Sequence, residues 1–357
     1  MPSRSSHDHA MELRQGAPEE ARPAPSLSQR ACRATALSFA LLSMGAFLPA
    51  QAALAAPAGH PATRGQADAV TNVSASYNFT TLDDHADATF NQLLGVNDFG
   101  VIAGYFGSGS PAATHPNKGY RVEPYSGATF VSENYPGSQQ TQVTAINDWG
   151  NTVGFYATPG GANYGFLDES GVMSKVADPM TSSNPPVNQL LGLNNEGQAV
   201  GFYNDAKGNS HAYIWDRHSK EFTPVTPPGA TSATATAIND HGAVAGFFTQ
   251  ADGDTAGFIG QRGHWKVVQF PGSKNTQIFG LNDQGKAVGT YAAAHNQTHG
   301  FIYSNGASTT LDDPNGVGST VVNGLNNIGT VVGFYTDAKG DTDGFVASAH
   351  VVGIPTP

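Results

Sequence analysis

The run Gln142-Val143-Thr144-Ala145-Ile146-Asn147-Asp148-Trp149-Gly150-Asn151-Thr152-Val153-Gly154-Phe155-Tyr156 decides how this chain folds. Gln142 to Asn147 alternate and are rich in β-branched residues, which reads as a strand. Asp148-Trp149-Gly150-Asn151 is a turn: a short polar side chain can bond nearby backbone amides, and the glycine accepts a positive φ. Thr152 to Ala157 is a second strand. A loop containing Gly and Pro leads to a third, Tyr164 to Leu167. Ser170-Gly171 turns the chain again, Val172 to Ala177 is a fourth strand, and Asp178-Pro179 ends it.

The same unit recurs along the chain. Its first turn appears as Val96-Asn97-Asp98-Phe99-Gly100, Ile146-Asn147-Asp148-Trp149-Gly150 and Leu193-Asn194-Asn195-Glu196-Gly197. It returns as Ile238-Asn239-Asp240-His241-Gly242, Leu281-Asn282-Asp283-Gln284-Gly285 and Leu325-Asn326-Asn327-Ile328-Gly329. The key asparagines, Asn97, Asn147, Asn194, Asn239, Asn282 and Asn326, are spaced by 50, 47, 45, 43 and 44 residues. Spacing in this range marks a repeat architecture. No window after residue 74 shows a helical apolar period, and glycine-rich, weakly charged segments suit short close-packed strands. Four antiparallel strands per unit match a propeller blade, whereas the coils of a β-solenoid are usually much shorter. The expectation is an all-β, six-bladed β-propeller. The asparagines are expected to cap turns, because Asn or Asp alternates at the next position (Asp98, Asp148, Asn195, Asp240, Asp283, Asn327), as suits hydrogen bonding rather than acid–base work.

The two ends of the repeat region complement each other. Phe79-Thr80-Thr81-Leu82-Asp83-Asp84 resembles Ser308-Thr309-Thr310-Leu311-Asp312-Asp313, the fourth strand of the fifth unit. The region therefore opens with a fourth strand lacking its own first three. It closes with a unit of three clear strands, Val321–Asn326, Thr330–Tyr335 and Gly344–Ser348. Pairing the N-terminal strand with the last blade closes the ring and removes free sheet edges. The tail after His350 is surplus to that blade.

The phrase Asn-Asp-x-Gly-x-x-Val-Gly-x-Tyr resembles the bacterial extracellular repeats of the HAF family. So does the phrase that follows it, seen as Tyr164-Gly165-Phe166, His211-Ala212-Tyr213, His299-Gly300-Phe301 and Asp343-Gly344-Phe345. The resemblance covers residues 74–357. It implies secretion and a β-propeller-like repeat, and it brings no catalytic motif to transfer.

Residues 1–55 read as a signal peptide with an extended n-region: Arg30 and Arg33, an apolar run from Ala34 to Ala50, then small-residue sites at Ala50-Gln51-Ala52 and Ala53-Leu54-Ala55. The run is short for a membrane span and is interrupted by Gly45 and Pro49. Residues 56–73 read as a flexible linker, leaving 74–357 as the propeller, secreted or periplasmic. Cys32, the one cysteine, precedes the apolar run, so the mature chain has no thiol chemistry and no disulfide. After residue 55 the chain has 12 basic and 24 acidic residues, a net of −12. No basic stripe exists to follow a phosphate backbone, which excludes nucleic acid as an expected partner.

Candidate chemistry is sparse. Five residues before each key asparagine stand Gln92, Gln142, Gln189, Thr234, Gln277 and Val321, a recurring amide near one mouth of the ring. Amides both donate and accept, which suits sugar hydroxyls or peptide groups. The plainer role is bridging between blades. Trp149 and Trp215 are candidates for exposed stacking surfaces. Asp252-Gly253-Asp254 and Asp337 to Asp343 superficially resemble calcium loops but lack the full ligand spacing and terminal Glu, so hairpin tips are expected; calcium is the one cofactor left open, and no metal site is assigned. His295 and His299 sit in a loop rather than on a helix. No nucleophile elbow or phosphate loop occurs, and no catalytic residue is assigned. The expected function is a non-catalytic binding module for a glycan or an envelope or extracellular partner. The competing expectation is a secreted polysaccharide lyase or glycoside hydrolase working at one channel mouth.

Overall fold

A computed structural model describes residues 71–72, 77–110, 114–124, 127–294 and 297–349. The leader, most of the linker, Cys32, His295 and the tail from His350 lie outside the described residues. Six antiparallel sheets form the blades of a six-bladed propeller. Their innermost strands are Asn91–Val96, Gln140–Ile146, Asn188–Leu193, Ser232–Ile238, Thr276–Leu281 and Thr320–Leu325, for blades 1 to 6. In blade 2 the remaining strands are Thr152–Ala157, Asn163–Glu169 and Val172–Val176, close to the sequence expectation.

The ring closes as expected. Tyr77–Thr81 is the outer strand of blade 6 and runs antiparallel to Thr342–Ala349, with Thr81 opposite Phe345 and Asn78 opposite Ser348. The Gly344 amide donates to the Asp83 carboxylate (2.8 Å) across this seam. Burial raises the Asp83 carboxyl to about 6, with the neighbouring Asp343 charge adding to the effect and the Gly344 bond and His85 opposing it. One addition was not anticipated: Thr71–Asn72, placed in the linker by the sequence, pairs in parallel with Ala307–Thr310 and gives blade 5 a fifth strand.

The two repeated phrases are explained by one packing unit. The glycine of each Val-Gly phrase or its looser equivalent lies directly across from the aromatic of the following phrase. The pairs are Gly104–Tyr120, Gly154–Phe166, Gly201–Tyr213, Gly246–Phe258, Gly289–Phe301 and Gly333–Phe345. A Cβ on any of these glycines would strike the carbonyl oxygen of the inner strand, for example that of Gln189 above Gly201. The glycine therefore lets two strands nest, and the aromatic, fully buried in every blade, fills the space left by the missing side chain.

Blade-to-blade packing uses a second set of small residues. The third-strand position before that aromatic is Gly119, Gly165, Ala212, Gly257, Gly300 or Gly344. At the five glycines an added Cβ would collide with Val143, Leu190, Ile278, Val322 or Leu93 of the next blade. Where alanine replaces glycine, at Ala212, the next blade offers Ala235, and both lie in one core cluster. Total volume at the contact is conserved, as close packing demands.

Every inner strand also carries a β-bulge three residues before its key asparagine, at Leu94, Thr144, Leu191, Thr236, Phe279 and Asn323. A bulge re-aims its side chain. Apolar and polar residues alternate strictly around the ring at this layer. The polar three each reach the next blade: Thr144 Oγ1 donates to the Leu190 carbonyl (3.0 Å), Thr236 Oγ1 to Ile278 (2.8 Å) and Asn323 Nδ2 to Leu93 (3.0 Å).

Candidate functional site

The channel has two mouths. The inner strands all run toward the first turns, so the key asparagines gather at one end, here called the turn mouth. The opposite end, where second strands pass to third strands and one blade passes to the next, is the loop mouth.

At the turn mouth the asparagines form a closed ring. Each Nδ2 donates to the backbone carbonyl of the next blade's asparagine, from Asn97 to Asn147 (3.0 Å) around to Asn326 and Asn97 (2.9 Å). Each Oδ1 accepts the amide four residues on, as Asn147 does from Asn151 (3.0 Å). These are turn caps, as expected. A second ring lies beside the first. The backbone N–H of Asp98, Asp148, Asn195, Asp240, Asp283 and Asn327 donates to Oδ1 of the following member at 2.8–2.9 Å. The side-chain amides of Asn195 and Asn327 each bridge the outer oxygens of two flanking aspartates, Asp148 and Asp240 for one and Asp98 and Asp283 for the other. Every carboxylate is thus committed to two amide donors.

The loop mouth separates the five expected site residues. Gln92 is buried; its Oε1 accepts from the Tyr105 hydroxyl (2.7 Å), and its Nε2 has no protein partner. Gln189 is equally buried, and its Oε1 has no protein partner. Gln142 donates to Asn117 Oδ1 (3.2 Å). Thr234 and Gln277 alone of the five line a cavity of about 170 Å³. Across the first strand pair Gln92, Gln142, Gln189 and Gln277 stand opposite Tyr105, Phe155, Phe202 and Thr290.

That cavity is the more developed site. Phe202, Phe247, Phe279, Leu94 and Leu191 give it apolar walls, with Phe247 and Phe279 edge-to-face at 6.2 Å. Thr144, Thr236 and Asn323 bring polar groups from the bulge layer, and Ser210, Ser232 and Thr255 stand toward the loops. No side chain lining it is ionisable. Among the aromatics of the Val-Gly-Phe-Tyr phrase and its looser versions, Tyr156 and Tyr335 sit in core clusters, Phe202 is buried in another and also lines the cavity, and Phe247 faces the cavity. The available signal was the cross-strand pairing of that phenylalanine with the glutamine position. Phe279 carried none, because a bulge decides where it points.

Titratable pairs occur on separate blades: His211 with Asp205 (3.0 Å) and His299 with Asp312 (2.8 Å). The His211 hydrogen bond holds the Asp205 carboxyl well below its ordinary range, opposed by burial and supported by the bonds from Asn209 and Lys207. His211 and Tyr203 stack (5.1 Å) beside a cleft of about 500 Å³ between blades 3 and 4. Trp149 is exposed, as expected. Trp215 is 4% exposed and packs inside blade 3, which removes it as a stacking platform; its strand position faces the core. Asp337 accepts the amides of Lys339 and Asp341, and Asp252 that of Asp254, as hairpin tips do. Among the described residues no group of three His, Cys, Asp or Glu side chains is placed to hold a metal, and no helix is long and apolar enough to cross a membrane.

No family model matches this sequence, and no curated protein matches it. Some solved structures match it weakly. AofleA from Arthrobotrys oligospora is 14% identical, aligned over 80% of this chain and 88% of its own, with a TM-score of 0.46. The Aleuria aurantia lectin, solved with Fucα1-6GlcNAc, is 11% identical over 75% and 97%, with a TM-score of 0.45. Virginiamycin B lyase from Staphylococcus aureus, solved with quinupristin, is 11% identical over 76% and 99%, also at 0.45. At such identities the likeness is one of general architecture and assigns this chain neither ligand nor activity.

Proposed function

We propose that this protein is a secreted, non-catalytic binding propeller that takes one sugar ring of a glycan at its loop mouth. The observation that carries this reading is the composition of the 170 Å³ cavity: four phenylalanines, hydroxyls and amides, with no ionisable side chain. An apolar cavity of about 150 Å³ admits a benzene-sized molecule, so this one holds a six-membered ring. Aromatic walls suit the C–H faces of a sugar, and Gln277, Thr234 and Asn323 offer donors and acceptors to its hydroxyls. A lyase or hydrolase needs a positioned acid or base within reach of the bound sugar. None of the cavity's own side chains supplies one. Export rests on residues 1–55 and on the resemblance to HAF repeats.

A glycan array probed with the mature chain, followed by calorimetry on any hit, tests the reading. Phe247→Ala and Phe279→Ala are each expected to weaken binding by about tenfold or more, consistent with the loss of a buried aromatic contact. A blank array, binding indifferent to both changes, or cleavage of the bound glycan would overturn it. N-terminal sequencing of the exported protein tests the leader.

A further inference from the structure

The turn mouth carries a feature that ring closure does not require. The residue two places after each key asparagine is the tip of the first turn: Phe99, Trp149, Glu196, His241, Gln284 and Ile328. Ile328, Phe99 and Trp149 belong to blades 6, 1 and 2, which are neighbours around the ring, and they are 72%, 73% and 75% exposed. A single exposed apolar residue is ordinary. Three large ones at equivalent positions of consecutive blades make one apolar arc, and such patches mark contact surfaces. The turn backbone is fixed at Phe99 and Trp149, whose amides donate to Asn97 and Asn147 Oδ1 (both 3.1 Å), and the Trp149 indole N–H donates to the Asn195 carbonyl (3.1 Å). A pre-ordered indole loses little freedom on binding.

Beside the arc lies a funnel of about 80 Å³ rimmed by Asp98, Asp148, Asp240 and Asp283. Among the described residues none of these four pairs with a Lys, Arg or His. We propose that the turn mouth docks an extended segment of a partner protein, its apolar side chains packing on Ile328, Phe99 and Trp149 and a lysine or arginine entering the carboxylate funnel. Charge complementarity selects the cation, and the apolar arc offers a surface to the apolar side chains of a polypeptide. The carboxylates already accept amide donors, so they are poorly disposed to strip water from a metal ion. The site is separate from the loop-mouth cavity, so the two readings stand or fall independently.

The test uses fluorescently labelled peptides of equal length with the full mature chain: alternating leucine and lysine, alternating leucine and glutamate, and alternating serine and lysine. The leucine–lysine peptide is expected to bind at least about tenfold more tightly than either control. The triple change Phe99→Ser, Trp149→Ser, Ile328→Ser is expected to abolish that preference while the melting temperature holds. Asp98→Asn with Asp148→Asn is expected to flatten the salt dependence of binding. The proposal is overturned if the leucine–lysine peptide does not bind, if serine–lysine binds equally well, if the triple change leaves affinity unaltered, or if calcium or an oligosaccharide competes at the same mouth.

Discussion

At the turn mouth all six blades place an asparagine at one position, and all six side chains make the same bond to the next blade. At the loop mouth the corresponding layer mixes Gln92, Gln142, Gln189, Thr234, Gln277 and Val321, and their surroundings differ blade by blade. The contrast teaches how to read a repeat. Identity at six positions reports a bond that each blade must make to its neighbour. Departure from identity reports either compensation, as at Ala212 with Ala235, or a surface released from the symmetry, as in the cavity walls and the apolar arc.

The largest expected effect breaks the symmetric part. Gly201→Ala forces a Cβ into the Gln189 carbonyl, which cannot retreat without moving the inner strand. A loss on the order of 3–5 kcal/mol is expected by urea denaturation. Asn147→Ala leaves the Trp149 and Asn151 amides without their partner and removes one of the two donors to the Asn194 carbonyl, which keeps the Gly197 amide. It should cost about 1–3 kcal/mol with no selective loss of ligand binding. A variant that kept its melting temperature yet lost binding would show that the asparagine ring is itself a site. Ala235→Leu restores the usual large residue opposite the one blade that lacks the glycine, and overpacking of about 1–3 kcal/mol is expected. Ala212→Gly in the same chain should recover much of it, read as coupling in a double-mutant cycle.

Much of this was legible before any coordinates. The period, the four-strand unit and the N-terminal strand of the last blade follow from residue spacing, because strand alternation and turn glycines are local properties. Gly104 and its five equivalents were visible as a phrase, although their purpose became clear only when register set each one beside an aromatic. The site was less legible. A bulge shifts the direction of Phe279 and Leu191 without leaving a mark in composition, and burial, not residue type, separates Trp149 from Trp215. Glutamine recurrence suggested a single ring, but Gln92 bonds Tyr105, Gln142 bonds Asn117 and Gln277 lines the cavity, and only three-dimensional neighbours reveal this.

Two smaller effects complete the series. The Asp83 carboxyl is raised to about 6 in the fold against an ordinary value of 3.8, so the folded chain holds this proton more tightly than the unfolded one. The associated stability is present below pH 3.8 and is lost as pH rises through about 6. Partial solvent access limits it to about 1–2 kcal/mol. Asp83→Asn keeps the oxygen that accepts from Gly344 and is expected to remove this share of the slope in melting temperature between those pH values. The smallest change in stability is expected for Trp149→Ser, within about 0.5 kcal/mol, because its ring is largely in water. If that substitution destabilises the fold by more, the arc is scaffold after all.

The pairing of Tyr77–Thr81 with Thr342–Ala349 also sets a timetable. Synthesis delivers Tyr77–Thr81 before any inner strand of the ring and Thr342–Ala349 after all of them, so blade 6 stays incomplete until that last strand is made. Any product stopped short of residue 342 leaves an early strand unmated and the toroid open. Completion is therefore a quality check written into connectivity: an intact molecule latches, and a fragment shows its raw edge to proteases.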